Sequence, residues 1–175
     1  FNQETFSSIM AGLQGNFTKD ALVNNTIYDK TGKVYRQTIN AEGMPFNVSA
    51  DFMYGVPFAN KMFNFNTRTM VSYNQNLSYQ LKEQDAEVIA EAIANNALML
   101  GERSQTGNIR ASEDLNLRFV HEIVDVGIRG NFTYSRSSNS LNKSNVNNVF
   151  NWTVSGDIAF HLPKNWEIAT DCGYT

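Results

Sequence analysis

Polarity alternates along most of this chain. Across positions 62–80 the odd residues Phe63, Phe65, Thr67, Thr69, Val71 and Tyr73 can face an apolar phase, while the even ones read Asn64, Asn66, Arg68, Met70, Ser72 and Asn74. A strict period of two predicts a β-strand with one greasy and one wet face. The run exceeds the usual length of a strand in a soluble protein. The same alternation recurs on Ile9, Ala11, Leu13, Gly15 and Phe17, on Val48 to Val56, on Ile109 to Phe119, on Val124 to Tyr134, on Phe150 to Leu162 and from Trp166 onward. About seven antiparallel strands in a meander are therefore expected.

The connections differ among themselves. Pro57 marks a tight turn at 56–61, since proline cannot donate to a ladder. Val120-His121-Glu122 and Pro163-Lys164-Asn165 mark two more. Between them lie longer or more polar links: a turn at 29–33 in which Gly32 supplies a positive φ, a stretch from 85 to 105, and a Ser/Asn/Lys-rich loop at 137–148. The first two arms, 7–27 and 34–56, are expected to form one long hairpin with a polar tip. Within 84–101 the period changes to Val88, Ile89, Ala92, Ile93 and Ala97, which predicts one short helix with Gly101 as its stop. Such a helix could contact a ligand as a lid or simply pack on a rim. Glu113 breaks the pattern by falling on an apolar face, and a β-bulge near Glu113-Asp114 or a place near an interface would be needed to accommodate it.

Composition narrows the setting. A single domain spanning 1–175 is expected, with 42% hydrophobic residues and a net charge of -3. The charge gives no basic stripe for phosphates, so nucleic acid is not an expected partner. Cys172 stands alone, which excludes a cysteine-stapled secreted fold. No apolar run approaches the roughly 18 residues of a membrane helix, but alternating barrel strands average out as polar and escape that test. The chain starts at Phe1 without an initiator Met and stops inside an alternating pattern, as an excised piece would.

Two architectures fit such strands, a transmembrane barrel and a soluble sandwich. Short and long connections in alternation match an outer-membrane barrel. Phe65 with Tyr73, and Trp152 with Phe160, are spaced as two aromatic girdles around an apolar band would be. Polar inner faces suit either architecture. On the barrel reading the lipid-facing set is Phe63, Phe65, Val71, Tyr73, Val126, Ile128, Phe132, Trp152, Val154, Ile158, Phe160 and Trp166. The lumen-facing set is Asn64, Asn66, Arg68, Asp125, Arg129, Asn131, Asp157 and Asp171. An odd set of strands cannot close a single-chain bacterial barrel, so the fold class expected is all-β, a fragment of a larger antiparallel transmembrane β-barrel with one short helix in a long external loop.

Little points to catalysis. His121 beside Glu122, and His161 alone, lack the convergent partners of a metal site. Asp125, Asp157, Asp171, Glu167 and Arg129 could line an ion or ligand path or simply form a salt-bridged lumen wall. No nucleophile motif or phosphate loop occurs, so no catalytic, cofactor or metal residues are assigned and an enzyme is not expected. The N-x-S/T triplets, such as Asn16-Phe17-Thr18, are expected by chance.

Several segments carry a resemblance: Val56-Pro57-Phe58-Ala59-Asn60-Lys61-Met62-Phe63, Val71-Ser72-Tyr73-Asn74-Gln75-Asn76, Glu113-Asp114-Leu115-Asn116-Leu117, Gly130-Asn131-Phe132-Thr133-Tyr134-Ser135 and Leu162-Pro163-Lys164-Asn165-Trp166. In order and spacing they resemble the barrel region of outer-membrane β-barrel proteins related to TonB-dependent receptors. The resemblance implies a bacterial outer-membrane location, a large barrel around an N-terminal plug, and import of a small-molecule or oligomeric nutrient. It also implies outer-membrane lipid and a TonB-type energy transducer as partners, the latter through parts of the protein outside this sequence. The competing expectation is a soluble sandwich that binds carbohydrate, or a purely structural outer-membrane protein.

Overall fold

The computed structural model describes residues 7–144 and 146–175. Nine strands form one sheet: β1 (Ser8–Phe17), β2 (Leu22–Asp29), β3 (Val34–Asn40), β4 (Phe46–Phe58), β5 (Phe63–Gln84), β6 (Glu102–Val120), β7 (Val124–Asn139), β8 (Asn147–Leu162) and β9 (Trp166–Tyr174), with a single helix α1 (Ala86–Ala94) after β5. Seven of the strands make a continuous wall in the order β1-β4-β5-β6-β7-β8-β9, every neighbouring pair antiparallel. The fold is thus all-β, and the sheet is open, with β1 and β9 as its edges.

The remaining two strands explain why nine are found where periodicity suggests about seven. The long hairpin forms, but it bends at residues 18–21 and 41–45. Its base is the β1–β4 pair, and its tip is the β2–β3 pair. At the bend, Thr18 N–H donates to Pro45 O and Ala41 N–H to Ala21 O. Beyond Gln75, β4 no longer accompanies β5, and β2 moves into that slot as a parallel neighbour, Asn25 opposite Tyr79. Thus β5 continues past the wall into a separate cap of β2, β3, α1 and the far ends of β5 and β6.

The tight connections gather at one end of the wall. Pro57 is not in its turn: it lies in β4 opposite Asn64, past the Ser8–Gly55 pair that ends the register with β1. The turn itself is 59–62, where Ala59, Asn60 and Lys61 are left-handed (φ 50, 55 and 68) and Met62 N–H donates to Ala59 O. His121 and Val124 exchange backbone hydrogen bonds around Glu122 and Ile123. Residues 163–165 form a 3-10 turn with Lys164 at φ 67. At the opposite end the strands outrun the sequence expectation. β6 begins at Glu102 rather than near 109, and β7 and β8 reduce the loop of 137–148 to 140–146, of which Asn145 lies outside the described residues.

The helix ends earlier than Gly101. Asn96 takes φ 50, its N–H reaches Ile93 O, and Ala97 N–H reaches Ala92 O, a Schellman closure with asparagine in the left-handed position. Gly101 serves another purpose. A Cβ there would stand 2.4 Å from the Gln80 carbonyl carbon, so the returning chain lies against the β5 backbone where no side chain fits.

The buried core sits in the cap: Ile27, Ala41, Leu77, Tyr79 and Ile89, with Asn25, Asp29 and Ser104 as buried polar groups. The wall has no core, because each wall strand packs edge to edge on its hydrogen-bonded neighbours and no second sheet covers either face among the described residues.

Candidate functional site

Register decides which side chains share a face, and it sorts the wall cleanly. Val71 stands opposite Ala50 and Ala111, and Ala111 opposite Tyr134, itself opposite Phe150. Following each ladder, Phe63, Phe65, Val71 and Tyr73 on β5, Val126, Ile128 and Phe132 on β7, Trp152, Val154, Ile158 and Phe160 on β8 and Trp166 on β9 all occupy one face. The same face takes the odd positions from Ile9 to Phe17 on β1 and the even ones from Phe46 to Phe58 on β4. It is nearly all apolar, and Ile128, Phe52, Val71, Trp152, Phe160 and Trp166 are exposed on it. Soluble monomers rarely expose so continuous an apolar surface.

Aromatic rings concentrate in two bands on this face. At the short-turn end Phe58 stacks on Phe63 (5.0 Å between centroids) and Phe63 meets Phe119 (4.9 Å). These rings, rather than Phe65, set the lower band, and Phe160 and Trp166 continue it. Near the other end Phe17 stacks on Phe46 (5.7 Å), Phe46 meets Tyr73 (5.6 Å), Tyr134 stands opposite Phe150, and Trp152 meets Tyr174 (5.4 Å).

Both bands descend in the same direction across the sheet. The upper one starts on β1 with Phe17, at the level of Gln75, and ends on β9 with Tyr174, at the level of Thr67. That is about 1.3 residues per strand, which at a rise of about 3.3 Å and a spacing of about 4.8 Å inclines the band by about 40° to the perpendicular of the strands. The lower one is level from Phe58 to Phe119 and then descends to Trp166. Measured across the bands at that inclination, Phe63 and Tyr73 on β5 lie about 25 Å apart.

Glu113 stays on the apolar face without a bulge, because the β5–β6 register passes through the Thr69–Glu113 pair unbroken. The expected irregularity is replaced by hydroxyl donors. Thr67 Oγ1 donates to Glu113 Oε1 and Thr69 Oγ1 to Oε2, which satisfies the carboxylate locally. The threonines sit at i, i+2 on β5, so the signal lay in the same alternation that identified the strand.

The opposite face carries Asn64, Asn66, Arg68, Asp125, Arg129, Asn131, Asp157 and Asp171. Its polar groups pair across strands: Arg129 to Asp157 at 2.8 Å, Arg118 to Asp125 at 3.1 Å, Asn131 Nδ2 donating to Asp114 Oδ1 at 2.5 Å. Gly127 leaves room for the Asp157 carboxylate, which would stand 2.6 Å from a Cβ at that position. Near the short-turn end His161 lies between Asp125 (3.7 Å) and Glu167 (3.8 Å). Arg68 and Arg110 point to this face and join no ion pair among the described residues. A concavity of about 360 Å³ opens between Arg68, Asp114, Asn116, Arg129 and Asn131. Asp114, Asn116 and Arg118 belong to this surface as fully as the residues assigned to the lumen, and simple parity finds them.

The histidines do not assemble a centre: His121 stacks on Phe119 (6.1 Å) at the turn. Among the described residues no group of three or more His, Cys, Asp or Glu could hold a metal ion. Among the described residues no helix is long and apolar enough to cross a membrane, which leaves strands untouched by that test.

The cap is organised by polar pins that alternation does not reveal. Asn25 donates from Nδ2 to Met99 O (2.6 Å) and Gln37 Oε1 (3.2 Å) and accepts from Gly101 N–H (3.1 Å). Tyr79 Oη accepts from Glu42 N–H at 2.9 Å. The helix buries Ile89 against the β2–β3 hairpin and leaves Val88 and Ile93 exposed, so it packs on the hairpin as a bracket rather than hanging free.

Compared with family models, with curated proteins and with solved structures, the chain matches none.

Proposed function

We propose that the sheet is part of the wall of a transmembrane β-barrel in a bacterial outer membrane, with the apolar face toward lipid and the polar face toward a water-filled lumen. The observation that carries the reading is the pair of aromatic bands. Their separation of about 25 Å on β5 fits the apolar belt of an outer-membrane barrel, and their shared direction of descent fits the inclination of its strands. A flat sheet in water has no reason to place rings at two levels that both descend toward β9. The sandwich reading requires a second sheet to cover the apolar face, and none of the described elements does so.

The open edges sharpen the proposal. In lipid, unpaired N–H and C=O groups on β1 and β9 would each cost several kcal/mol, so further strands must complete the barrel. The lumen face, with Arg68 and Arg110 outside any ion pair among the described residues and with its cross-strand Asn and Asp side chains, suits passage of a polar solute. With the resemblance of the sequence segments to TonB-dependent receptors, this supports a role in nutrient uptake, and active transport would draw on a plug and an energy-transducing partner of the whole protein.

Substitution on the two faces tests the assignment. Val154→Arg or Ile128→Arg in the full protein should destabilise the bilayer-inserted state by about 2–4 kcal/mol, with Asn131→Arg nearly neutral. Folding into vesicles, followed by urea titration, reads the difference. Equal tolerance on both faces, or partition of the parent protein into water without detergent, would sink the membrane assignment.

A further inference from the structure

The apolar face changes character just beyond the upper aromatic band. There Tyr73, Gln75, Gln105, Gly107, Ser138 and Lys143 line a polar groove of about 330 Å³. The ladders place Gln75, Gln105, Gly107 and Ser138 on the same side as the rings.

The groove has a fixed floor. A Cβ on Gly107 would stand 3.0 Å from the Tyr73 hydroxyl, so glycine lets the phenol lie across β6 with its oxygen in the groove. One wall is clamped, because Ser140 N–H donates to Gln105 O at 2.9 Å and Gln105 N–H returns a bond to Ser140 Oγ at 2.9 Å.

Two cations flank it. Lys143 is on the rim. Arg136 occupies the same-face position next to Ser138 on β7, whereas the Arg103 guanidinium turns the other way, toward Gly43 and Leu77. Neither Lys143 nor Arg136 is in an ion pair among the described residues. The outer face of β6, β7 and β8 offers a single acid, Glu113, which is already bonded to two threonines. This local positive excess runs against the net charge of -3 of the chain.

We propose that this groove seats the phosphate-bearing headgroup of a lipid in the leaflet at the long-connection end. The inference rests on the barrel reading, which puts Tyr73 at the membrane boundary. The groove then lies about 5 Å further out, at headgroup depth. Lys143 and Arg136 supply charge to the phosphate. Gln75, Gln105, Ser138 and the Tyr73 hydroxyl supply neutral hydrogen bonds, while the acyl chains run down over Val71, Ala111 and Tyr134.

The test uses the full protein folded into vesicles of phosphatidylcholine, with and without a minor fraction of phosphatidic acid. Lipid retained per protein after mild detergent extraction gives the preference, and protease protection of the wall in the same vesicles gives insertion. The double variant R136Q/K143Q should insert as wild type does and bind phosphatidic acid about twentyfold more weakly, and Lys143→Gln alone about fivefold. Lys143 lies in a loop, so the single variant keeps the test valid if the double one folds poorly. Normal insertion with unchanged preference overturns the headgroup site and leaves the barrel standing. Failure of wild type to insert in any vesicle removes the barrel reading, and this inference with it. Displacement of the bound lipid by millimolar inorganic phosphate would mean a soluble anion site and would overturn the lipid assignment.

Discussion

Asn25 and Asn131 are the same residue type in the same sheet, put to opposite uses. Asn25 is fully buried in the cap, and its amide makes three hydrogen bonds, two that pin Met99 and Gly101 and one to Gln37 on β3. Asn131 faces open space on the wall and bonds Asp114 across one strand boundary. The contrast extends to the two regions. The cap holds itself together by burying Ile27, Leu77, Tyr79 and Ile89, as any small soluble unit does. The wall has ladders but no interior, so its apolar face must be covered from outside. One chain therefore contains a part that carries its own core and a part that borrows one from its surroundings, and β5 runs through both.

The largest effect that separates them is expected from the cap. Tyr79→Ala removes a ring that is 2% exposed together with the acceptor for Glu42 N–H. About 3–5 kcal/mol of local stability should disappear. Amide exchange would speed up across β2, β3 and α1 while the protection of β7 and β8 in vesicles stays as it was. Equal acceleration in β7 and β8 would show that the two regions are a single cooperative unit.

A smaller and more local break is Asn25→Ala. It strands Gly101 N–H and Met99 O without their partner, at a cost of about 1–3 kcal/mol. The loss should appear as faster exchange at Gly101 with β2–β3 pairing retained. Should the β2–β3 pairing melt as well, Asn25 is part of the hairpin's own stability and not a pin between segments.

How much of this could be read from the chain follows the same division. The wall was legible because alternation is a local signal: parity on β5, β7 and β8 assigned each side chain to a face before any register was known, and the ladders join those faces without a slip. Glu113 was half legible. Its position was visible, but its remedy lay in two threonines on the neighbouring strand, which a one-dimensional reading does not connect to it. The cap was legible only as a hairpin and a helix. Nothing in the run around Asn25 announces a parallel pairing with Tyr79, since parallel partners come from the bend at 18–21 and from the space left by β4. Gly101 read naturally as a helix stop, whereas its role is set by the backbone of Gln80, distant in sequence.

The smallest predicted effect concerns pH at the hairpin tip of the cap. Asp29 is buried at the hairpin tip, where its carboxylate accepts from Thr31 Oγ1 (2.7 Å), Lys33 N–H (2.8 Å) and Thr31 N–H (2.9 Å). The Thr31 hydroxyl leads in holding its pKa below the ordinary carboxylate value, burial opposes the shift, and the two backbone donors and the Lys33 charge add to it. A group whose folded pKa is depressed contributes stability above its unfolded pKa and loses it as pH falls toward the folded one. The tip of β2 and β3 should therefore hold through neutral and mildly acidic pH and loosen only below the usual carboxylate range, as exchange at Lys33 would record. Asp29→Asn keeps the shape, removes the charge and should flatten that dependence. Ile128 and Val154 lie on β7 and β8, away from Asp29, so Asp29→Asn should leave the pH dependence of exchange there unchanged; a change at either would tie the cap's titration to the wall and dissolve the distinction between the two.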